Sequence, residues 1–346
     1  MDQPNQTAKE RLALLLAGVP ASIRRALAEA TGDPLSWLEN TGHGLVSRNA
    51  RPLLGSEVPA LLARLTELGW RWIAPPDSDF PPRLMELSDP PLGLFVRGSL
   101  RAGPAAAVVG SRRATPYGLG VGRLLGRELG AAGVCVVSGM ARGIDAAAHE
   151  GAMEAGGPTV AVWGTGPDRV YPPEHGQLAE DIVSSGGALV TEFPPGTPPR
   201  RHHFPQRNRL LAGLAEAVVV VEAAAKSGAL NTARQALDEG RDVWAVPGSI
   251  LSEMSLGPNA LLRLGARPLV VPSELVRELG ARPAELGAVP AEPSPVLEAI
   301  PSGRSLSPDA IAVAAGLGVG EVLTALLELE LEGLVARLED GSYARR

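Results

Sequence analysis

The sequence contains 346 residues, of which 45% are hydrophobic, 20% charged and 3% aromatic, and its formal net charge is −6. This composition indicates a globular protein with large apolar cores and enough chain for two or three domains. Its one cysteine, Cys135, excludes an intrachain disulfide and argues against a cysteine-based zinc site. No run reaches the roughly 18 apolar residues of a membrane span, so we expect a cytoplasmic protein with no membrane partner. The acidic charge argues against a nucleic-acid partner unless the charges are unevenly distributed along the chain.

Residues 1–74 are predicted to form a small helical domain of the SAM-like or helix-hairpin-helix kind. Leu12, Leu15, Ile23 and Leu27 recur at helical spacing, and breaks that contain Gly and Pro separate short helices. Two roles stay open for this domain, a packing or interaction module and a direct contact with nucleic acid.

Residues 75–280 are predicted to form a doubly wound α/β domain with an extended Rossmann-like parallel sheet. A Pro-rich connector contains a short strand at 94–96, and from residue 105 short apolar runs alternate with amphipathic helical runs. The expected strands are 105–110, 134–138, 159–163, 188–192, 217–221, 243–246 and 268–271, and the expected helices are 118–132, 144–155, 175–185 and 227–239. Such folds bind their ligands at the carboxyl ends of the strands.

A linker rich in Pro, Ala and Glu at 281–295 leads to a winged-helix-like domain at 296–346. Nine acidic and four basic residues lie in 291–346, a net charge of −5, and the helix expected at 319–332 carries four acids and no base. Phosphate would repel such a recognition helix, so the pattern disfavours a transcription factor and favours a protein-contact or architectural role. An apolar stripe is expected to pack inside this domain, formed by Val322, Leu323, Leu326, Leu327 and Leu331.

The first strand of the alternating pattern ends in a loop that leads directly into a helix. Gly110 is expected to bring the backbone close to a ligand, and Ser111 and Thr115 offer hydroxyl groups. Arg112 offers a planar fork for phosphate, and the start of the helix favours an anion. The spacing matches neither the Rossmann GxGxxG fingerprint nor a P-loop. The alternative interpretation is a plain capped turn.

The next strand-end loop contains Gly139, Arg142 and Gly143 and leads into a helix that carries Asp145 and His149. Asp145 and His149 are four residues apart and would share a helix face, as an acid–base pair or half of a metal site. Because no third ligand lies nearby, we expect no metal. The simpler interpretation is an aspartate that interacts with the helix dipole.

Arginines surround an aromatic residue after the strand at 188–192. Arg200, Arg201, Arg207 and Arg209 lie close to Phe204 in the sequence. Arginines neutralise phosphates and an exposed ring stacks on a base, so this segment suits a strand of nucleotides without sequence preference. Alternatively, Phe204 belongs to the core and the arginines form surface salt bridges.

A further loop, in which Ser227 and Gly228 open a helix, offers another place for an anion or a nucleotide edge.

Five motifs in this order resemble the DNA-processing protein A (DprA/Smf) family over residues 80–270. They are Ala-Val-Val-Gly-Ser-Arg at 107–112, Ser-Gly…Arg-Gly-Ile-Asp…His at 138–149, Phe-Pro…Arg-Asn-Arg at 204–209, Ser-Gly-Ala-Leu-Asn-Thr at 227–232 and Val-Pro-Gly-Ser at 246–249. The resemblance implies a protein that binds and protects single-stranded DNA, forms a homodimer through the α/β domain, and loads the RecA recombinase during natural transformation. We expect no cofactor.

By carry-over from this resemblance, Arg112 and Arg201 match basic DNA contacts and Phe204 matches a base-stacking position. Some family members have lysine near residue 201, so arginine there preserves the charge. The candidate residues for binding single-stranded DNA are Gly110, Ser111, Arg112, Thr115, Gly139, Arg142, Gly143, Arg201, Phe204, Arg207, Asn208, Arg209, Ser227 and Gly228.

The alternative function is that of a nucleotide-binding or nucleoside-monophosphate-hydrolysing enzyme with a related doubly wound fold. Those enzymes carry a Pro-Gly-Gly…Gly-Thr…Glu motif. The comparable loop of this chain, at 226–232, has no Gly-Gly pair, and Gln235 stands at the position of the glutamate. An amide does not act as a general base, so the sequence favours a binding protein over an enzyme.

Overall fold

The computed structural model describes the chain apart from residues 1–3, 31, 101, 284–294, 302–303, 332–333, 339–340 and 346, and apart from the side chains at 328 and 331. Met1–Ala284 form one compact unit and Glu285–Arg346 form a second. Most of the predicted linker, residues 284–294, lies outside the described residues.

In the described part of residues 1–74, for which the sequence predicts helices, the structure has five helices. They are α1 (Gln6–Leu16), α2 (Ala21–Glu29), α3 (Pro34–Asn40), α4 (Gly44–Gly55) and α5 (Glu57–Glu67). Leu12, Leu27 and Leu38 pack in the same hydrophobic core as Trp72 and Leu189 of the sheet. Residues 1–74 thus share a core with the α/β part, and the domain boundary at residue 74 stays a prediction.

The sheet has nine strands in the order β1-β2-β6-β5-β4-β3-β7-β8-β9. The strands are β1 (Arg71–Ile73), β2 (Leu94–Gly98), β3 (Ala105–Val109), β4 (Cys135–Ser138), β5 (Thr159–Val162), β6 (Ala188–Thr191), β7 (Ala217–Val220), β8 (Asp242–Ala245) and β9 (Arg267–Pro268). From β6 to β9 every pairing is parallel, which confirms the predicted doubly wound fold. Next to β6, β2 and the edge strand β1 add antiparallel pairings, and the sequence does not predict β1.

Helices cover both faces of the sheet because successive residues of each strand point to opposite sides. The helices are α6 (Pro116–Ala131), α7 (Ile144–Glu154), α8 (Gly176–Ser184), α9 (His203–Leu214), α10 (Gly228–Asp238), α11 (Leu256–Arg263) and α12 (Pro272–Glu278). Ala106 and Val108 pack in a core with residues of α6 and α7, whereas Ala107 and Val109 pack with residues of α9 and α10.

The order of the strands creates a topological switch point between β3 and β7. The chain runs from β3 through β4 and β5 to β6 on one side, and from β7 through β8 to β9 on the other. The loops after β3 and β7 therefore diverge, and a crevice opens at the carboxyl ends of these two strands.

The second unit has the winged-helix arrangement that the sequence predicts. Its elements are α13 (Pro295–Glu298), β10 (Ser305–Leu306), α14 (Pro308–Ala315), α15 (Val319–Leu331), β11 (Val335–Arg337) and β12 (Tyr343–Arg345). Val322 and Leu326 are fully buried in its core, but Leu323 and Leu327 are 47% and 58% exposed. The prediction that the whole apolar stripe packs inside is therefore wrong for Leu323 and Leu327, and the side chain of Leu331 lies outside the described residues.

Within the described residues, no single helix has the length and apolar composition of a membrane span. Two consecutive helical segments satisfy both criteria only when they are counted together. They are Pro308–Ala315 and Val319–Leu327, and the chain bends by 108° between them.

Candidate functional site

A cavity of about 570 Å³ lies at the switch point of the sheet. Its walls come from the loops after β3, β4 and β7, from the first turns of α9 and α10, and from Met254. Arg112, Arg113 and Lys226 line it and are exposed, and no carboxylate in the described parts of the chain pairs with them. The cavity therefore has a cationic rim.

Hydroxyl groups of the β3–α6 loop shape the loop itself. The Thr115 hydroxyl donates to Glu222 at 2.6 Å and accepts from the amide of Gly118 at 3.1 Å, while the Thr115 amide donates to Glu222 at 2.9 Å. The Ser111 Oγ accepts from the amide of Arg113 at 3.0 Å. Glu222, which follows β7, thus ties the two loops of the switch point together. Thr115 does not line the cavity, whereas Ser111 does.

Gly110 lines the cavity, but packing inside the protein already requires a glycine there. A Cβ at this position would overlap the Ile144 side chain. Packing against α7 is thus one reason for a glycine at this position, and the expectation that Gly110 brings the backbone close to a ligand stays a prediction.

The loop after β4 is held by a buried carboxylate. Asp145 accepts hydrogen bonds from the amides of Gly139 at 3.1 Å and Ala141 at 3.3 Å, and burial raises its pKa. Gly143 adopts a φ of 79° at the start of α7, a conformation that favours glycine. Gly139 and Arg142 line a smaller recess beside the main cavity, and Arg142 forms an ion pair with Glu174.

His149 belongs to the packing of α7 on the sheet. The ring is fully buried, its Nδ1 lies 2.7 Å from the Thr159 hydroxyl, and burial lowers its pKa to about 3. Asp145 and His149 bind different groups, so the hypothesis of an acid–base pair is wrong. The described residues contain no group of three or more His, Cys, Asp or Glu side chains arranged for a metal ion.

The basic segment at 203–214 is a helix, α9, whereas the sequence pattern predicts a basic loop after the strand at 188–192. Arg207 is 4% exposed, donates to the Val162 carbonyl, and contributes to the floor of the cavity. Burial lowers the pKa of Arg207 to about 10, and the negative charge of Asp145 opposes this shift. Arg209 points away from the cavity into a buried ion pair with Glu192, with Asp89 at 3.2 Å.

Phe204 stands on the rim and is half-buried. Its ring lies 5.0 Å from the Arg112 guanidinium carbon and 5.5 Å from the Tyr171 ring. Arg201 is exposed in the turn before α9 and does not line the cavity. The ring is therefore partly open to a ligand and partly supported by its neighbours.

On the α10 side, the cavity is lined by two predicted residues, Ser227 and Gly228, and by two residues outside the predicted set, Lys226 and Asn231. The Ser227 Oγ accepts from the amide of Ala229 at 3.3 Å, which caps α10, and Gly228 has open space beside it. Asn231 lies four residues after Ser227, a spacing that places the two on one face of a helix, and Lys226 directly precedes Ser227 in the loop.

Of the predicted residues, the structure brings eight together in the main cavity: Gly110, Ser111, Arg112, Phe204, Arg207, Asn208, Ser227 and Gly228. It places six outside: Thr115, Gly139, Arg142, Gly143, Arg201 and Arg209. Their roles in binding stay predictions.

The fold and the cavity define a doubly wound α/β protein with a cationic rim around the cavity at its switch point, together with a winged-helix unit. Residues 71–280 match the family model of DNA recombination-mediator protein A, and residues 280–341 match that of the DprA winged helix domain. The chain belongs to the DNA recombination-mediator protein A family, DprA/Smf.

Known relatives extend over most of the chain. It is 42% identical to protein Smf of Escherichia coli over 288 residues, which cover 79% of this chain and 77% of that protein. It is 41% identical to the putative DNA processing protein DprA of Mycobacterium tuberculosis H37Rv over 307 residues, which cover 82% of this chain and 78% of that protein.

Two solved structures extend the comparison. DNA processing protein A from Streptococcus pneumoniae matches with a TM-score of 0.65 and 33% identity, covering 80% of this chain and 99% of that one. The protein from Helicobacter pylori, described for its unique single-stranded DNA binding mode, matches with a TM-score of 0.55 and 28% identity. That match covers 61% of this chain and 95% of the other.

Proposed function

We propose that this protein binds single-stranded DNA in the cavity at the switch point and performs no chemistry on it. The observation that carries the proposal is the rim, where Arg112, Arg113 and Lys226 are exposed without a carboxylate partner among the described residues and Phe204 presents a partly open ring. Unpaired cations bind phosphates and an accessible ring stacks on a base.

The shape of the site favours a single strand over a duplex. A cavity of about 570 Å³ has room for an unstacked nucleotide, whereas the bases of a duplex are stacked and paired and cannot enter it without unpairing. The H. pylori relative, which is described for binding single-stranded DNA, supports this choice.

The contacts of Gln235 favour a binding protein over a nucleotide hydrolase. The Gln235 amide donates to the Pro205 carbonyl at 3.0 Å, and an amide does not serve as a general base. The nearby Glu222 is occupied by the amide and hydroxyl of Thr115.

The family resemblance extends the proposal to the protein's binding partners and its cellular location. We propose a homodimer formed through the α/β unit, which would load the RecA recombinase onto DNA in the cytoplasm during natural transformation. Exposed aliphatic side chains at the β8–β9 edge support self-association: Ile250 is 87% exposed, Leu251 92%, Leu264 81% and Val270 71%.

A salt titration of labelled single-stranded and duplex oligonucleotides of equal length tests the central claim. We expect tight binding of the single strand, with log K falling linearly with log salt at a slope of about −0.7 for each phosphate contact, and weaker binding of the duplex. Equal affinity for both, or no binding of the single strand, would contradict it.

A further inference from the structure

A second cavity, of about 420 Å³, lies at the amino ends of β3, β4 and β5, whereas the switch-point cavity lies at the carboxyl ends of β3 and β4. Ala105 and Cys135 begin β3 and β4, Val160 lies in β5, and all three are buried and line this second cavity. A parallel sheet is usually covered by helices on both faces. On this face α9 ends at Leu214, which also lines the cavity, so the amino ends of the three strands face a cavity instead of a helix.

Most of the remaining lining of the second cavity is apolar. Phe80 and Pro81 come from the segment between β1 and β2, and Leu100 comes from the segment between β2 and β3. The volume lies in the range of small-molecule sites, which is roughly 300–1,000 Å³. Water finds few hydrogen-bond partners among apolar walls, and cavities of this kind take up apolar molecules.

The charged residues of the second cavity disfavour an ionic ligand. Among the described residues that line it, Asp79 and Arg83 are charged, and both already have partners. Asp79 pairs with Arg71 at 2.9 Å, and Arg83 pairs with Glu216 at 2.7 Å. The cavity therefore has no unpaired charge to offer, and a charge placed among its apolar walls costs free energy. The lining selects for an uncharged ligand.

We propose that the second cavity binds a small, uncharged and largely apolar molecule. The inference goes beyond the proposed binding of DNA, because no described residue lines both cavities. Nucleic acid does not suit the second cavity, because its phosphates carry charges that the apolar walls do not accept. An aromatic ligand suits it best, because the Phe80 ring in the wall packs favourably against another ring.

Two dyes that differ by one charged group test the proposal on the full-length protein. N-phenyl-1-naphthylamine is uncharged, and 8-anilinonaphthalene-1-sulfonate has the same ring system with an added sulfonate. Both fluoresce more strongly in apolar surroundings, so a titration gives the affinity and the number of sites. We expect one site per chain for the uncharged dye, and roughly tenfold weaker binding of the sulfonate, whose charge has to leave water. Equal affinity for the two dyes would overturn the inference.

Val160→Phe fills the second cavity from its floor and locates the bound dye. We expect it to weaken binding of the uncharged dye roughly tenfold or more, because the larger side chain occupies the space of the ligand. The dye should raise the thermal midpoint of the wild type by mass action and leave that of the variant almost unchanged. Ala105→Leu fills the same floor from β3 and provides the measurement if circular dichroism shows that Val160→Phe does not fold.

Leu251→Ser is the control for adhesion of the dye to exposed aliphatic side chains, because Leu251 is 92% exposed. It should bind the uncharged dye as the wild type does. Loss of binding in this variant, unchanged binding in a folded cavity-filling variant, or no binding to the wild type would each overturn the inference. None of these results bears on the proposed binding of DNA, which the salt titration tests separately.

Discussion

The arginines around the cavity differ in how far carboxylates of the protein already neutralise their charge. Arg142 and Arg209 pair with Glu174 and Glu192, whereas Arg112 and Arg201 have no carboxylate partner in the described residues. An arginine without a partner offers its full charge to a phosphate, because no ion pair has to break first.

Arg112→Ala and Arg201→Ala test this difference. Each substitution should flatten the plot of log K against log salt by about 0.7 on single strands if the arginine contacts one phosphate. Arg64→Ala, at an exposed arginine on α5, should leave the slope unchanged. An unchanged slope in the protein that lacks both Arg112 and Arg201 would contradict the prediction.

Phe204→Ala should weaken binding of single-stranded DNA by about 1–3 kcal/mol with little change in the salt slope, because stacking involves no counterion release. The ring also contacts Tyr171 and Arg112, so the thermal midpoint is measured alongside the affinity. A variant that melts earlier but binds normally while folded would place Phe204 in the core instead of at the interface.

His149 makes stability depend on pH. Burial lowers its folded-state pKa to about 3, so below about pH 6.5 the unfolded chain takes up a proton that the folded protein does not. The free energy of unfolding should therefore fall as the pH decreases, by up to about 1.4 kcal/mol per pH unit from this group.

His149→Asn keeps a donor for Thr159 and should flatten that dependence between about pH 6 and pH 4 in urea titrations. Burial raises the pKa of Asp145, so Asp145 changes the free energy of unfolding with pH in the opposite direction. Its contribution is the same in both proteins and cancels in the comparison. Equal slopes in the two proteins would contradict the assignment.

At the scale of elements, apolar periodicity predicts most strands of the α/β part and four of its helices, but not α9, α11 or α12. Helix α9 carries three polar residues in a row, Arg207, Asn208 and Arg209, and all three are buried. Arg207 and Arg209 find their partners, Val162 and Glu192, at distant strand ends. A buried arginine cannot be distinguished from an exposed one until those ends are brought together, so the sequence pattern resembled a basic loop.

The packing of α6 against α7 depends on a close approach of the two helix backbones. A Cβ at Gly126 would overlap the carbonyl oxygen of Ala148 on α7, whereas a Cβ at Gly120 on the same helix meets nothing within 4 Å. Gly126→Ala should destabilise the protein by about 1–3 kcal/mol, since α7 must move. Gly120→Ala should stabilise it by about 0.5–1 kcal/mol through helix propensity. Urea unfolding of the two variants and the wild type measures both changes in the free energy of unfolding. A Gly126→Ala protein as stable as the wild type would contradict the close packing of α6 on α7.

At the scale of the whole molecule, the sequence predicted the class of fold and the strand-end position of the site, but not which loops meet. The strand order places the loop after β7 beside the loop after β3, although more than 100 residues separate Thr115 from its partner Glu222. Lys226 and Asn231 enter the cavity through this adjacency. Local patterns carry no information about strand order, so the sequence marks the loop at 226–232 but does not show that Lys226 and Asn231 face the loop after β3.

The distribution of charge between the two units leads to a prediction about truncation. Residues 291–346 carry a net charge of −5, and α15 contains acidic residues and no basic one. The second unit has its own core, in which Ile311, Val322 and Leu326 are fully buried. A unit with its own core is removable without unfolding its neighbour.

A chain that ends at residue 284 should therefore fold and keep its affinity for single-stranded DNA within a few fold. Its association rate should rise at low salt, because the removal of acidic charge weakens long-range repulsion of the DNA. Stopped-flow binding, together with circular dichroism and light scattering on the truncated and full-length proteins, measures both effects. A hundredfold loss of affinity in a truncated protein of unchanged fold and oligomeric state would mean that the winged-helix unit contacts DNA despite its charge.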